Sequence, residues 1–132
     1  VVTNAHVVGD DPEVSIETSA GTLVRGTVEK KDTTLDLAVV RIAAPDVRWT
    51  AIEWTAAHDP VVGEALYVIG HPLGLGWTVT QGIVSARRAA AETGSSDLIQ
   101  TDAAISPGNS GGPVFDRDGH LVAIVRSKIV RA

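Results

Sequence analysis

The chain of 132 residues contains no cysteine, which excludes a disulfide scaffold, a thiolate zinc site and a cysteine nucleophile. Positive charge is also short. Eleven Lys and Arg stand against 16 Asp and Glu, giving a net charge of −5 and a pI near 5.2. That balance argues against non-specific binding to nucleic acid or to anionic membranes. Apolar runs are brief: the longest, such as 121–125, fall far short of a membrane-spanning helix. No internal repeat or low-complexity segment is present, and no His-x-x-x-His spacing supports a metal cluster.

What is abundant is β-branched. Val, Ile and Thr together number 40 against 8 Leu, with 13 Gly and 6 Pro. Such side chains fit a pleated, half-buried surface, and Gly and Pro punctuate turns. Apolar residues make up 44%, enough for one domain or two small ones sharing a surface. The 17 Ala gather in linker-like stretches such as Ala89-Ala90-Ala91. The chain opens at Val1 in mid-pattern, so it reads as a piece of a longer protein.

Alternation of polar and apolar residues predicts a strand over 13–18, and a second over 22–29 completes a hairpin around 19–21. The nearly continuous apolar run 35–42 predicts a buried strand. Residues 46–60, with Trp49, Trp54 and no clean period, read as a crossing segment between two halves. Further strands are predicted over 64–70, 78–86, 97–101, 113–116 and 120–130. Asp118-Gly119 is a tight-turn signal. Short strands at this spacing, with no helical stretch, imply an all-β sandwich or barrels.

The stretch Gly108-Asn109-Ser110-Gly111-Gly112-Pro113 stands out chemically. Its glycines permit close backbone approach, and they let successive N–H groups point into one concavity. The N–H groups of Gly108 and Ser110 are thereby available to a developing oxyanion. From this stretch alone, a nucleophile and a plain turn are equally good readings. A Ser hydroxyl needs a base, and the base an orienting group. His58, His71 and His120 look like loop residues. His6 differs, since it sits among Ala5, Val7 and Val8 at the predicted end of a strand; a satisfied core imidazole is the plain alternative. Asp36 opens the most apolar strand, where an unpaired carboxylate is costly, and Asp102 is its rival on the same ground. One is expected to orient His6 and the other to brace backbone. Gly108-x-Ser110-x-Gly112 also fits the nucleophile elbow of α/β-hydrolases. That fold needs a helix after the Ser and the order Ser, acid, His. The short remainder after Ser110 reads as strands, so the elbow fails.

Val2-Thr3-Asn4-Ala5-His6-Val7-Val8, Thr34-Leu35-Asp36-Leu37-Ala38-Val39-Val40-Arg41-Ile42 and Gly108-Asn109-Ser110-Gly111-Gly112-Pro113 resemble the three catalytic motifs of trypsin-like serine proteases. The likeness is greatest to the HtrA/Deg branch, and segments 62–75, 78–86 and 100–105 match it too. The spacing from His6 to Asp36 and on to Ser110 also suits that branch. The resemblance implies a chymotrypsin-like fold of two antiparallel β-barrels, truncated at both ends. It places the remainder of the first barrel at 1–45, an inter-barrel linker at 46–60 and the second barrel at 61–132. It also implies a triad of His6 as base, Asp36 rather than Asp102 as the acid, and Ser110 as nucleophile, acting in the cleft between the barrels. Gly108 and Ser110 would form the oxyanion hole, with Asn109 shaping the loop. Ile105 and the residues Arg126, Ser127 and Lys128 after the binding strand Ala123-Ile124-Val125 would meet the substrate. Members of that branch begin this strand with a Gly-Ile-Asn-like sequence.

The implied function is a serine endopeptidase acting on unfolded or misfolded polypeptides through an acyl-enzyme, with no cofactor, no metal and no nucleic-acid partner. A bacterial cell-envelope or periplasmic setting is implied, with a PDZ domain and trimer-type assembly in the parent protein. The runner-up is a catalytically silent peptide-binding module of the same fold that adds peptide to a sheet edge. The branch carries further strands before the His motif, so the isolated chain is expected to expose open strand edges, to associate, and to be poorly active. A trypsin-like preference would need a carboxylate at the pocket floor, yet the residue six before Ser110 is Ala104, beside Ile105. Cleavage is therefore expected after Val, Ala or Leu, unless Lys128 reaches the pocket mouth and admits acidic side chains. A cleavage profile of a denatured protein digest checks this, and dominance of Arg and Lys sites would overturn it.

Overall fold

Among the described residues the β-branched excess is realised as nine strands, paired antiparallel throughout. The structure, a computed structural model, describes residues 1–53, 59–74, 76–94 and 96–126. The chain divides into two units, Val1–Ala51 and Ile52–Ala132, and the division falls inside the expected crossing segment.

The first unit contains β1 (Val2–Thr3), α1 (Ala5–Val8), β2 (Glu13–Glu17), β3 (Leu23–Asp32) and β4 (Leu37–Ile42), with sheet order β1-β4-β3-β2. The expected hairpin is β2–β3, in register from Glu13 opposite Thr27 to Glu17 opposite Leu23. Its turn closes through the Gly21 N–H on the Thr18 carbonyl, 2.9 Å. Because side chains alternate across a strand, Val14 and Ile16 share one face. With Val28 they pack on buried Val8, Ala38 and Val40. The run 35–42 reads in sequence as buried throughout. Instead β4 begins at Leu37 and buries one face, leaving Val39 38% exposed beside Val2. An antiparallel sheet covered on one side needs only alternate residues inside.

His6 lies on a helix rather than at a strand end, a correction to the expectation from its apolar neighbours. Asn4 has extended backbone, and its carbonyl accepts the N–H groups of Val7 and Val8. Gly9 has φ 60° and donates its N–H to the Ala5 carbonyl at 3.0 Å, which ends the helix after one turn. The β-branched pair Val7-Val8 masks this turn from a propensity reading. The Asn before it and the Gly after it are the boundary signals.

The second unit contains β5 (Ala65–Gly70), a 3₁₀ turn (Pro72–Gly74), β6 (Thr78–Arg88), α2 (Ala90–Thr93), β7 (Leu98–Thr101), β8 (Pro113–Phe115) and β9 (Leu121–Ile124). Sheet order is β7-β6-β5-β8-β9. The expected strand 120–130 is thus shorter as β9, and its last residues lie outside the described ones. Leu66, Val68, Val84, Ala103, Val114 and Val125 form the buried core of this unit. Full burial of a Leu or Val contributes about 1.5–3 kcal/mol. The Ala-rich stretch that resembles a linker holds α2. It is secured by Glu92 Oε2 accepting the Ala89 N–H and Asp97 Oδ1 accepting the Ala90 N–H.

The turn between β8 and β9 is organised by one buried carboxylate, that of Asp116. Asp116 Oδ1 accepts the N–H groups of Asp118 and His120, each at 2.9 Å, and Oδ2 lies 3.1 Å from His120 Nδ1. Burial by itself raises the Asp116 pKa, but these hydrogen bonds and the His120 charge outweigh it, and the net shift is downward from 3.8. A depressed folded-state pKa contributes stability above the unfolded value and loses it as pH falls through the folded one. Asp116→Ala is expected to cost about 1–3 kcal/mol by stranding the N–H groups. It is also expected to flatten the loss of stability below about pH 4 that the carboxylate causes. Urea unfolding of both proteins across that range checks both effects.

Candidate active site

β1 pairs with β4 in the register Val2–Val39 and Thr3–Ala38. In an antiparallel pair, continuing forward past Thr3 and backward past Ala38 leads to the same place. Ala5 and His6 thus arrive opposite Asp36, although β2 and β3 lie between them in the chain. The Asp36 carboxylate engages His6 twice: Oδ1 accepts the main-chain N–H at 2.9 Å, and Oδ2 lies 2.7 Å from Nδ1. Since an ionised carboxylate only accepts, the proton of neutral His6 resides on Nδ1, and Nε2 keeps its lone pair. The carboxylate is largely covered while the imidazole is about half exposed.

Two further groups hold this pair. Lys31 Nζ donates to the Gly9 carbonyl at 2.8 Å, fastening the end of α1 to β3. Asn4 Nδ2 donates to the Asp36 carbonyl at 3.0 Å. Asp36, just before β4, has φ 55° and is the one non-glycine with positive φ among the described residues. Asp102 does something else. Its Oδ1 accepts the Ile83 N–H at 2.8 Å, bridging β6 to the residues after β7.

The Ser110 loop follows from backbone accounting. The Asn109 N–H donates to Ser106 O, the Gly111 N–H to Val125 O and the Gly112 N–H to Asn109 O. Among the described residues, the N–H groups of Gly108 and Ser110 donate to nothing. Gly108 has φ 100°, a conformation that a side chain would make costly, and it separates the loop from the preceding Ser106-Pro107. Unsatisfied N–H groups flanking one residue are ready donors for an anion. Val125 N–H donates in turn to Gly112 O at 2.9 Å, so the β8–β9 ladder continues past Ile124 into the loop. A Cβ at residue 112 would lie 2.7 Å from Ile69 O, and one at residue 70 would overlap the Asn109 amide. Glycine at both positions lets the loop seat on the end of β5. Asn109 is buried there, and its Oδ1 has no hydrogen-bond partner among the described residues.

The other expected site residues fall as follows. Ile105 is half-buried and packs on the second unit's core. Arg126 Nη1 donates to Ser96 Oγ at 3.3 Å. Ser127, Lys128 and His58 lie outside the described residues. His71 packs edge-on against Trp77 with ring centroids 5.6 Å apart, and His120 is taken up by Asp116. Residue type and spacing do not single out Asn4 or Gly70. The one trace of Asn4 is an amide set between Val-Val-Thr and an apolar His segment.

Residues 1–124 match the model of the trypsin-like peptidase domain. A probable periplasmic serine endoprotease DegP-like from Brucella suis is 41% identical over 125 residues, covering 94% of this chain and 24% of that protein. Protease Do-like 1, chloroplastic, from Arabidopsis thaliana is 40% identical over 129 residues, covering 94% of this chain and 29% of that protein. The crystal structure of the serine endoprotease from Yersinia pestis superposes with a TM-score of 0.79 at 34% identity, covering 93% of this chain and 42% of that one. The chain thus spans about a quarter of the length of the curated relatives it matches, and its two antiparallel sheets match a chymotrypsin-like double-barrel fold.

The two aspartates are expected to respond differently to loss of charge. Asp36→Asn keeps its shape but favours the wrong His6 tautomer, and should lower kcat for peptide hydrolysis by about 10⁴. Asp102→Asn should lower the melting temperature and leave kcat near wild type. Measuring kcat and melting temperature for both variants decides between them, and the opposite pattern would exchange their roles.

Proposed function

We propose that this chain, which belongs to the trypsin-like peptidase domain family and resembles its HtrA/Deg members, is the catalytic part of a serine endopeptidase. The observation that carries the reading is the double engagement of Asp36 with His6, at 2.9 and 2.7 Å. A histidine held by both its main chain and its Nδ1 is fixed in tautomer and orientation, and that is what a general base requires.

In this mechanism Ser110 supplies the nucleophile. His6 Nε2 takes the hydroxyl proton as Oγ attacks the scissile carbonyl, and later gives it to the leaving amine. Asp36 holds the imidazole and stabilises its cation. The N–H groups of Gly108 and Ser110 stabilise the oxyanion, and the buried Asn109 between them fixes their spacing. Water then attacks the acyl-enzyme with His6 again as base, releasing the acid and restoring Ser110. Removing one oxyanion donor in such a site costs about 10²–10³ in kcat. Ile105 and Arg126 are the described residues proposed to border the substrate; Ser127 and Lys128, expected to do so from the sequence, lie outside the described residues. The substrate class is extended polypeptide, presented by unfolded or misfolded proteins. The parent protein is a bacterial envelope or periplasmic protease, trimeric and carrying a PDZ domain.

A fluorophosphonate probe is expected to label wild type at Ser110 and to leave Ser110→Ala unlabelled. In the full-length protein, Ser110→Ala should abolish hydrolysis of denatured casein, with a residual about 10³–10⁴-fold above the uncatalysed rate, and should keep its circular dichroism. Retention of more than a few per cent of wild-type activity would remove Ser110 from its role. A wild type that binds peptide but neither labels nor hydrolyses would support the silent binding module.

A further inference from the structure

We infer that Asn4 is a positioning residue: its buried amide fixes the Asp36 main chain and thereby aims the Asp36 carboxylate at His6. The inference rests on the roles proposed above for His6 and Asp36.

Three observations carry it. Asn4 is fully buried, and Nδ2 donates to the Asp36 carbonyl at 3.0 Å, while Oδ1 has no hydrogen-bond partner among the described residues. An acceptor buried without a partner is destabilising, and an apolar residue would avoid it. Packing alone therefore does not account for an amide at this position. Secondly, Asn is a preferred helix N-cap because its side chain can satisfy the first free N–H groups. Asn4 occupies the N-cap of α1, yet it makes no side-chain cap bond. Its amide is directed instead to Asp36, beyond β2 and β3 in the chain. Thirdly, the bond lands on the described non-glycine residue with left-handed backbone. With φ at 55°, fixing the direction of the Asp36 carbonyl fixes its ψ, and with both dihedrals set the Cα–Cβ direction follows.

One residue thus ties both members of the pair. The Asn4 carbonyl accepts from Val7 and Val8 to start the helix that bears His6, and the Asn4 side chain holds the backbone that bears Asp36. Without the side-chain bond, Asp36 keeps its charge but loses a determinant of its direction, and a displacement of about 1 Å at such a group costs roughly 10²-fold in rate.

The test compares wild type, Asn4→Ala and Asn4→Ser in the full-length protein. It measures kcat and KM on denatured casein, the melting temperature, and the ¹H–¹⁵N spectrum of the His6 ring. Both variants are expected to show kcat lowered roughly ten- to a hundredfold with KM unchanged. The low-field Nδ1–H resonance of His6 should be weakened or lost, with the neutral ring redistributed toward the Nε2–H tautomer. Ser, whose hydroxyl donates over a shorter reach, should lie between Ala and wild type. A lowered melting temperature with wild-type kcat and a wild-type ring spectrum would make Asn4 a packing residue only and overturn the inference. Should Asn4→Ala fail to fold, Asn4→Ser decides by the same criteria. A wild type that does not hydrolyse casein would count against the endopeptidase reading alone. The ring spectrum would still decide the role of Asn4, because it reads the Asp36–His6 geometry without substrate.

Discussion

The Asp36 carboxylate has two oxygens and meets two N–H groups of one residue, the main chain and the ring of His6. Much of the first unit serves to keep that coincidence. The β1–β4 pairing brings together segments distant in the chain, and α1 turns the His6 ring toward β4. Lys31 closes α1 from β3, and Gly9 ends the helix after one turn. The apolar packing of Val8 on Ala38 and Val40 supplies the rigid base. The polar contacts above it decide direction.

The second unit presents Ser110 by a different device, the selective satisfaction of backbone donors. Within 106–112 the N–H groups of 109, 111 and 112 are spent on Ser106, Val125 and Asn109. Each of those bonds fixes the loop's shape. Those of 108 and 110 have no partner among the described residues, and Gly108 is exposed, so both stay available to an acceptor from outside the loop. The loop stands on two close approaches to β5, at Gly70 and Gly112, where a methyl group would displace it. Continuation of the β8–β9 ladder through Val125 couples the loop to the strand leading to Arg126.

Asp36 and Asp102 show how similar sequence surroundings yield different work. Both stand next to apolar residues, and both are anchored by hydrogen bonds. Asp102 accepts a strand N–H from Ile83 across β6, beside Gly82, where a Cβ would overlap the Ala103 main chain. That bond braces β6 to the residues after β7. Asp36 lies in a turn just before β4, and its two oxygens meet His6, a residue from elsewhere in the chain.

Much was determined by the sequence itself. The strand alternation at Glu13–Glu17, the turn at Asp118-Gly119 and the conformational demands of Gly108 are local properties, legible because they depend on residue type and spacing. Three ordered motifs around His6, Asp36 and Ser110 marked the family for the same reason. Tertiary structure alone decided the rest. The one-turn helix at Ala5–Val8 runs against the β preference of Val7-Val8, and it forms because Ala5 and Val8 find buried places. One-sided burial of β4, the diversion of Asn4 from capping to Asp36, and the seating of Asn109 on Gly70 all join residues far apart in the chain. Contacts of that kind leave no periodic trace in a sequence, because they arise only where the folded backbone brings the two positions together.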